Sequence, residues 1–168
     1  MSTKLLSKFA FILLLLFVPK VCLAEPLIEA TVVKILDIGT IEVNIAGNIE
    51  RVRLIGIDMP PVKPSKMLPY EKEALAYAKK TLENKVVYLE TDISTYDKYK
   101  RMLAYIWLEK PTGNINLEMK TKMFNSLVLL NGYAKISTTP PNIKYVQTFL
   151  QYQNEAKRKY LGLWAYPD

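Results

Sequence analysis

The chain has 168 residues, 23 of them basic and 16 acidic for a net charge of +7, with one cysteine and no histidine. That length builds one domain with a full core and is too short for two. The single cysteine, Cys22, falls in the N-terminal leader described next. The rest of the chain therefore excludes thiol nucleophiles, Cys/His zinc sites, histidine general bases and disulfide staples.

Lys4 and Lys8 precede an apolar run from Phe9 to Val18, and small Ala24 follows Cys22 by two places. This pattern predicts a secretory signal peptide over residues 1–24, cleaved after Ala24, and hence a secreted, periplasmic or cell-envelope protein. The run is about half of the ~20 apolar residues a membrane span needs, so no span is expected in the mature chain. Lys20 and Val21 stand where lipid attachment at Cys22 would want small residues, which argues against an anchor there. Losing Lys4, Lys8 and Lys20 with the leader leaves 20 basic against 16 acidic residues, a net charge of +4. A positive excess of this size fits a polyanionic partner and fits ordinary solubilising charge equally.

Past the leader, Val, Ile and Thr alternate with charged residues from Leu27 to Asp58, interrupted at Asp37-Ile38-Gly39 and Ala46-Gly47-Asn48. Period-two alternation broken by turn residues predicts three consecutive antiparallel strands. Pro60, Pro61, Pro64 and Pro69 then predict a loop without regular structure. From Tyr70 to Asn84 the spacing becomes helical. Ala74, Tyr77, Ala78 and Leu82 form one stripe, and Glu71 and Glu73 fall in the first turn, where the helix dipole favours acids.

Two more strands follow, Lys85–Asp92 and Met102–Leu108, joined by a polar loop that carries Asp97, Lys98, Lys100 and Arg101. A turn at Pro111–Asn114 leads into a second helix over Leu117–Leu130, ended by Asn131-Gly132. A third runs from about Ile143 to Tyr160 and stops at Gly162, with Trp107 and Trp164 expected as core anchors. The predicted class is α+β, mainly β. It is a five-stranded Greek-key barrel of the oligonucleotide-binding type, an OB-fold, with three helices, spanning residues 25–168 as one domain.

Three segments carry the chemistry: ILDIGTIEV (Ile35–Val43), VRLIGIDMPP (Val52–Pro61) and DKYKRMLAYIW (Asp97–Trp107), with LGLW (Leu161–Trp164) near the end. In this order they resemble the thermonuclease family, the staphylococcal-nuclease-like secreted phosphodiesterases, over nearly the whole mature chain. The resemblance implies calcium-dependent hydrolysis of DNA and RNA. It assigns Arg53 and Arg101 to binding the scissile phosphate and stabilising its transition state, which suits planar donors that keep their charge. Taken singly, each is better read as a surface arginine on a strand or a loop; it is the two together, in matching context, that favour the phosphate site. The resemblance also assigns Lys98 and Tyr99 to a terminal phosphate and nucleotide, with a solvated lysine and a half-buried barrel tyrosine as the alternative. Asp58 and the Met59 carbonyl are assigned to the metal. Asp37 matches an outer-shell aspartate, although a plain turn role suits it better, and Thr40 matches the family's threonine.

Two family acids are missing. Gly39 stands in place of a second metal-binding aspartate and Pro61 in place of the general-base glutamate. Calcium affinity depends on the number of charged oxygen ligands, and loss of a positioned base costs about 10²- to 10⁴-fold in rate. Glu42 points to the wrong face of its strand to replace them. Glu71 and Glu73 are the remaining candidate substitutes. Asp58 alone against Arg53 and Arg101 predicts a net positive pocket that prefers phosphate to calcium. Ser137, Thr138 and Thr139 replace family tyrosines, which weakens base stacking.

The expectation is thus a monomeric, degenerate nuclease that needs no cofactor and binds nucleic acid or another polyanion at a two-arginine phosphate site. The alternatives are an active calcium-dependent nuclease and a structural or interaction module on the same barrel.

Overall fold

The computed structural model describes residues 26–59 and 67–166. The expected leader, with Cys22 and Ala24, and the loop positions Pro60, Pro61, Lys63 and Lys66 lie outside the described residues.

The first strand, β1 (Ile28–Asp37), is long enough to be shared by two neighbours. It pairs antiparallel with β2 (Thr40–Ile45) through Asp37↔Thr40 and with β5 (Val86–Glu90) through Ile28↔Leu89. Register irregularities at Val32/Lys34 and Ile35/Asp37 let it bend between these partners, since a bulge kinks and twists a strand. Between β2 and β3 (Asn48–Leu54), Ala46 and Gly47 both take positive φ, 49° and 94°, as a tight hairpin turn requires. β6 (Met102–Trp107) pairs antiparallel with β5 and parallel with β3. The order β1-β2-β3-β6-β5 is a closed barrel, as expected, and its inward residues, among them Val32, Ile41, Val43, Val52, Leu54, Leu89 and Ile106, are buried.

Two expectations need correction. The first concerns the helices: among the described residues there are four, not three. α1 (Pro69–Leu82) begins at Pro69, tolerated at a first helical position because its missing N–H has no partner to lose. The run expected as one helix over Leu117–Leu130 is two, α2 (Ile115–Lys122) and α3 (Phe124–Leu130), and α4 (Val146–Arg158) is the last. Met123 separates α2 from α3 in extended conformation, φ −94° and ψ 114°. It forms a bridge with Trp107, and the Lys122 carbonyl accepts from the Leu108 N–H at 2.7 Å. The end of the last barrel strand thus pulls one residue out of the helix, while Met119, Met123 and Phe124 stay buried on either side of the break.

The second correction is a two-stranded sheet outside the barrel, which the sequence did not announce. β4 (Ile57–Asp58) pairs antiparallel with β7 (Lys135–Ile136), and this fixes Asp58 beside the barrel rim.

Buried side-chain hydrogen bonds lock the helices onto this frame. Asn125 of α3 accepts from the Ile106 N–H at 2.8 Å and donates to the Ile55 carbonyl at 2.9 Å. Glu90, at the end of β5, accepts from Trp107 Nε1 at 2.6 Å, from the Tyr145 hydroxyl at 2.9 Å and from Lys144. Tyr145 in turn packs edge-on against Tyr105, with centroids 4.8 Å apart.

Candidate functional site

Arg53 leaves the outer face of β3, opposite Thr40 on β2 and Leu103 on β6. Beside it lies the β1–β2 turn, where the Asp37 carboxylate accepts the Gly39 N–H at 2.7 Å. Asp37 is therefore a turn residue, a common role for aspartate. Gly39 has no Cβ, and the Arg53 guanidinium lies directly over it. A Cβ built there would overlap Arg53 Nη1 and sit 3.1 Å from Cζ. Arg53 Nη2 donates to the Ile57 carbonyl at 3.0 Å and to the Asp58 carboxylate at 2.9 Å. The guanidinium thus occupies the ground above position 39 and takes the Asp58 oxygen that the resemblance assigned to a cation.

Arg101 is held by its own loop. Asp97 accepts from the Tyr99 and Arg101 N–H groups, both at 2.9 Å, and from Arg101 Nε at 2.8 Å, and it pairs with Arg101 Nη2 at 2.7 Å. Lys100 takes φ +60° to close this turn. Burial alone would raise the Asp97 carboxyl, but the bonds from the Arg101 backbone and side chain and from the Tyr99 amide together hold it below its ordinary value.

Arg53 and Arg101 line one cleft of about 170 Å³, together with Asp97, Leu103, Ser137, Thr139 and Asn142. Asn142 is pinned by bonds to the Ser94 N–H at 2.7 Å and carbonyl at 2.8 Å. Of the expected pair, Tyr99 is not half-buried: it is 66% exposed. Lys98 Nζ lies 5.1 Å and Arg101 Cζ 5.4 Å from its ring centroid. Neither Lys98 nor Tyr99 lines the arginine cleft.

Among the described residues the acids near the arginines do not fit calcium. Among the described residues no group of three or more acids, cysteines or histidines is placed to hold a metal, and residues 60–66 contain no acid. Asp58 is already paired with Arg53. None of the candidate substitutes lines the arginine cleft. Glu71 is buried and accepts the Leu68 N–H at 2.6 Å, Glu42 pairs with Arg51 at 3.1 Å, and Glu73 is an exposed residue of α1. The expected net positive pocket is also corrected. Asp58 faces Arg53 and Asp97 faces Arg101, so each guanidinium has a carboxylate partner. What the cleft offers an anion is the remaining donors. Among the described residues Arg53 Nε and Nη1 and Arg101 Nη1 make no hydrogen bond.

Sequence reasoning missed the part played by Asp97, although its spacing four residues before Arg101 was a usable signal. It placed Ser137 and Thr139 beside the site, where both line the cleft, but missed Asn142, because only the folded path of the 137–142 segment brings it to the arginines.

Residues 51–166 match the family described as Staphylococcal nuclease homologue. The chain is 41% identical over 133 residues to the thermonuclease of Staphylococcus intermedius, covering 78% of this chain and 73% of that one. It is 35% identical over 136 residues to the thermonuclease of Staphylococcus hyicus, covering 80% and 74%. It is 30% identical over 145 residues to the SPbeta prophage-derived endonuclease YokF of Bacillus subtilis, covering 84% of this chain and 45% of that one.

Proposed function

The chain belongs to the staphylococcal nuclease homologue family, and from that premise we propose that it is a degenerate member that binds the phosphates of a nucleic acid at Arg53 and Arg101 without cleaving them. It is a nuclease-like barrel whose described residues lack a complete metal site. The observation that carries the binding reading is the placement of both guanidinium groups on one small cleft, each oriented by a carboxylate and each with donors left over. A guanidinium fork held in place by an acid loses little freedom on meeting a phosphate, and charge-assisted bonds are roughly twice as strong as neutral ones. Ser137 and Thr139 add hydroxyls to the same wall.

Hydrolysis of a phosphodiester without histidine needs a hard cation and a carboxylate to activate water. Here Arg53 lies where the second acid of the family would project, and the described acids nearby bond to arginines or to backbone N–H groups.

The test compares single-stranded DNA hydrolysis and melting temperature in calcium and in chelator. No calcium-dependent cleavage above an Arg53→Ala/Arg101→Ala control is expected. Calcium at millimolar concentration should leave the melting temperature unchanged, whereas a nucleoside 3′,5′-bisphosphate should raise it, because a ligand at a hundredfold excess over Kd stabilises by about 2.7 kcal/mol. Chelator-sensitive cleavage that disappears in Arg53→Ala would overturn the reading.

A further inference from the structure

We propose that Ile93 and Ile143 form an apolar tip, flanked by the Lys98 and Lys100 ammonium groups, with which the molecule docks on an anionic lipid surface. The proposal goes beyond the phosphate reading of Arg53 and Arg101 and does not rest on it.

Two segments far apart in the chain are clamped together to build the tip. The Ser94 N–H donates to Asn142 Oδ1 at 2.7 Å, and Asn142 Nδ2 donates back to the Ser94 carbonyl at 2.8 Å. Two residues away on each segment, in opposite directions, the Lys144 N–H donates to the Asp92 carboxylate at 3.2 Å. Ser94 thus faces Asn142 and Asp92 faces Lys144, so the residues between, Ile93 and Ile143, stand opposite each other like a cross-strand pair. Asn142 is buried and the Asp92 carboxylate also accepts from the Tyr105 hydroxyl at 3.0 Å, so these two side chains turn inward. Alternation leaves the isoleucines on the outside, 75% and 52% exposed.

A lone exposed isoleucine is ordinary on a protein surface. Here two project from a clamp held by three hydrogen bonds, and exposed Tyr96 follows on the same loop. A tip fixed in this way loses little freedom when it is covered, and taking its apolar surface out of water is favourable.

Charge selects the occupant. The loop that begins with Ile93 carries Lys98 and Lys100 at its turn, both exposed, and neither forms an ion pair among the described residues. The acids close by are already committed, Asp97 to Arg101, Glu90 to Lys144, and Asp92 to Tyr105 and the Lys144 N–H. Aliphatic tips, an exposed tyrosine and unpaired lysines match the layers of a lipid surface, which takes the first among acyl chains, the second at the interface and the third among anionic headgroups. A second copy of the chain would bring these lysines against their own kind, and a polyanion in solution offers the isoleucines nothing apolar.

The experiment uses the chain from Glu25 onward, which contains every described element and omits the apolar leader that would bind lipid by itself. In co-sedimentation, vesicles of phosphatidylglycerol and phosphatidylcholine in equal parts should bind it at least tenfold more tightly than vesicles of phosphatidylcholine alone. Ile93→Ser with Ile143→Ser should weaken binding to the anionic vesicles at least tenfold. Lys98→Gln with Lys100→Gly should weaken it by roughly tenfold to thirtyfold, since each lysine near an anionic leaflet contributes about fivefold. The chain past the leader has no cysteine, so Ile93→Cys takes a single environment-sensitive dye. Its emission should shift to the blue on anionic vesicles, whereas the same dye on Val86→Cys, at the other end of β5, should not shift. If the parent ignores the vesicles, or the dye shifts equally at both positions, the proposal is refuted. If the isoleucine variant binds as tightly as the parent, the attraction is general electrostatics and the tip assignment is refuted. If the parent ignores vesicles but sediments as a dimer that the isoleucine change dissolves, the tip is a self-association surface and the lipid assignment falls. Circular dichroism of each variant keeps loss of binding separate from loss of fold.

Discussion

At Gly39 a missing methyl-sized group decides where a charge sits. The Arg53 guanidinium covers the turn because nothing projects from it. Gly39→Ala should push the guanidinium aside. The atom in the way is the tip of a flexible side chain, so the melting temperature should move by less than about 0.5 kcal/mol equivalent, within the range of a surface change. Bisphosphate affinity should fall several-fold, because Arg53 no longer faces the cleft as it does now. Calorimetric titration beside a thermal melt checks both, and unchanged affinity would mean Arg53 is not a ligand. Asp97 supports a second prediction at this scale. Its folded pKa lies below its ordinary value of 3.8, so the stability it contributes is complete above that value and is lost as pH falls through the lowered folded pKa. The deficit of an Asp97→Asn variant should accordingly be largest near neutral pH and shrink towards pH 3, read from denaturant midpoints at each pH. A deficit independent of pH would show that the Asp97 charge does not act through Arg101.

Strands and turns were legible in the sequence because Val, Ile and Thr alternation and the Ala46-Gly47 pair state their own geometry over a few residues. The break at Met123 was not. Its cause is the bridge to Trp107, 16 residues earlier in the chain, and no local preference of Met123 signals it. The β4–β7 pair was hidden for the same reason, since Asp58 and Lys135 meet only after the barrel has closed. In the site, Arg53 and Arg101 could be named from their segments, whereas the way Asp58 and Asp97 use up their charge depends on side-chain placement. The α4 segment is joined to the barrel by another such long-range device, Glu90. Glu90→Ala would strip Trp107 Nε1, the Tyr145 hydroxyl and Lys144 of one shared acceptor. Leaving the buried Trp107 Nε1 and the part-buried Tyr145 hydroxyl without their acceptor should cost about 2–3 kcal/mol, with exposed Lys144 adding little and Glu90→Gln costing less because an acceptor oxygen remains. Urea denaturation of the two variants tests the order, and equal losses would mean that packing outweighs the hydrogen bonds.

The molecule as a whole separates what holds it together from what it offers a ligand, and two glycines expose that separation. Leu161–Trp164 packs against the helices through a backbone contact between Gly132, after α3, and Gly162, at the start of a 3₁₀ turn (Gly162–Ala165). The Leu163 N–H donates to the Gly132 carbonyl at 2.9 Å. Outside the seam, Lys157 lies 4.4 Å from the Trp164 ring centroid and Tyr166 packs 5.8 Å from Tyr70 of α1. The last turn therefore ties α1, α3 and α4 together. Gly162 has φ +54°, and a Cβ there would lie 2.6 Å from the Gly132 carbonyl carbon and 2.8 Å from the Asn131 oxygen. Those atoms are backbone and cannot swing away as the tip of Arg53 can. Left-handed conformation alone costs a non-glycine residue roughly 1–2 kcal/mol, and parting the two backbones adds to it, so Gly162→Ala should lose about 2–3 kcal/mol. Measured below its lowered melting temperature, the same variant should bind the bisphosphate as tightly as the parent, since no residue of the seam lines the arginine cleft. Gly39→Ala should do the reverse, keeping stability and losing affinity. If both variants lose stability and affinity in proportion, the cleft and the seam are one cooperative unit, and the depleted site is part of what keeps the barrel folded.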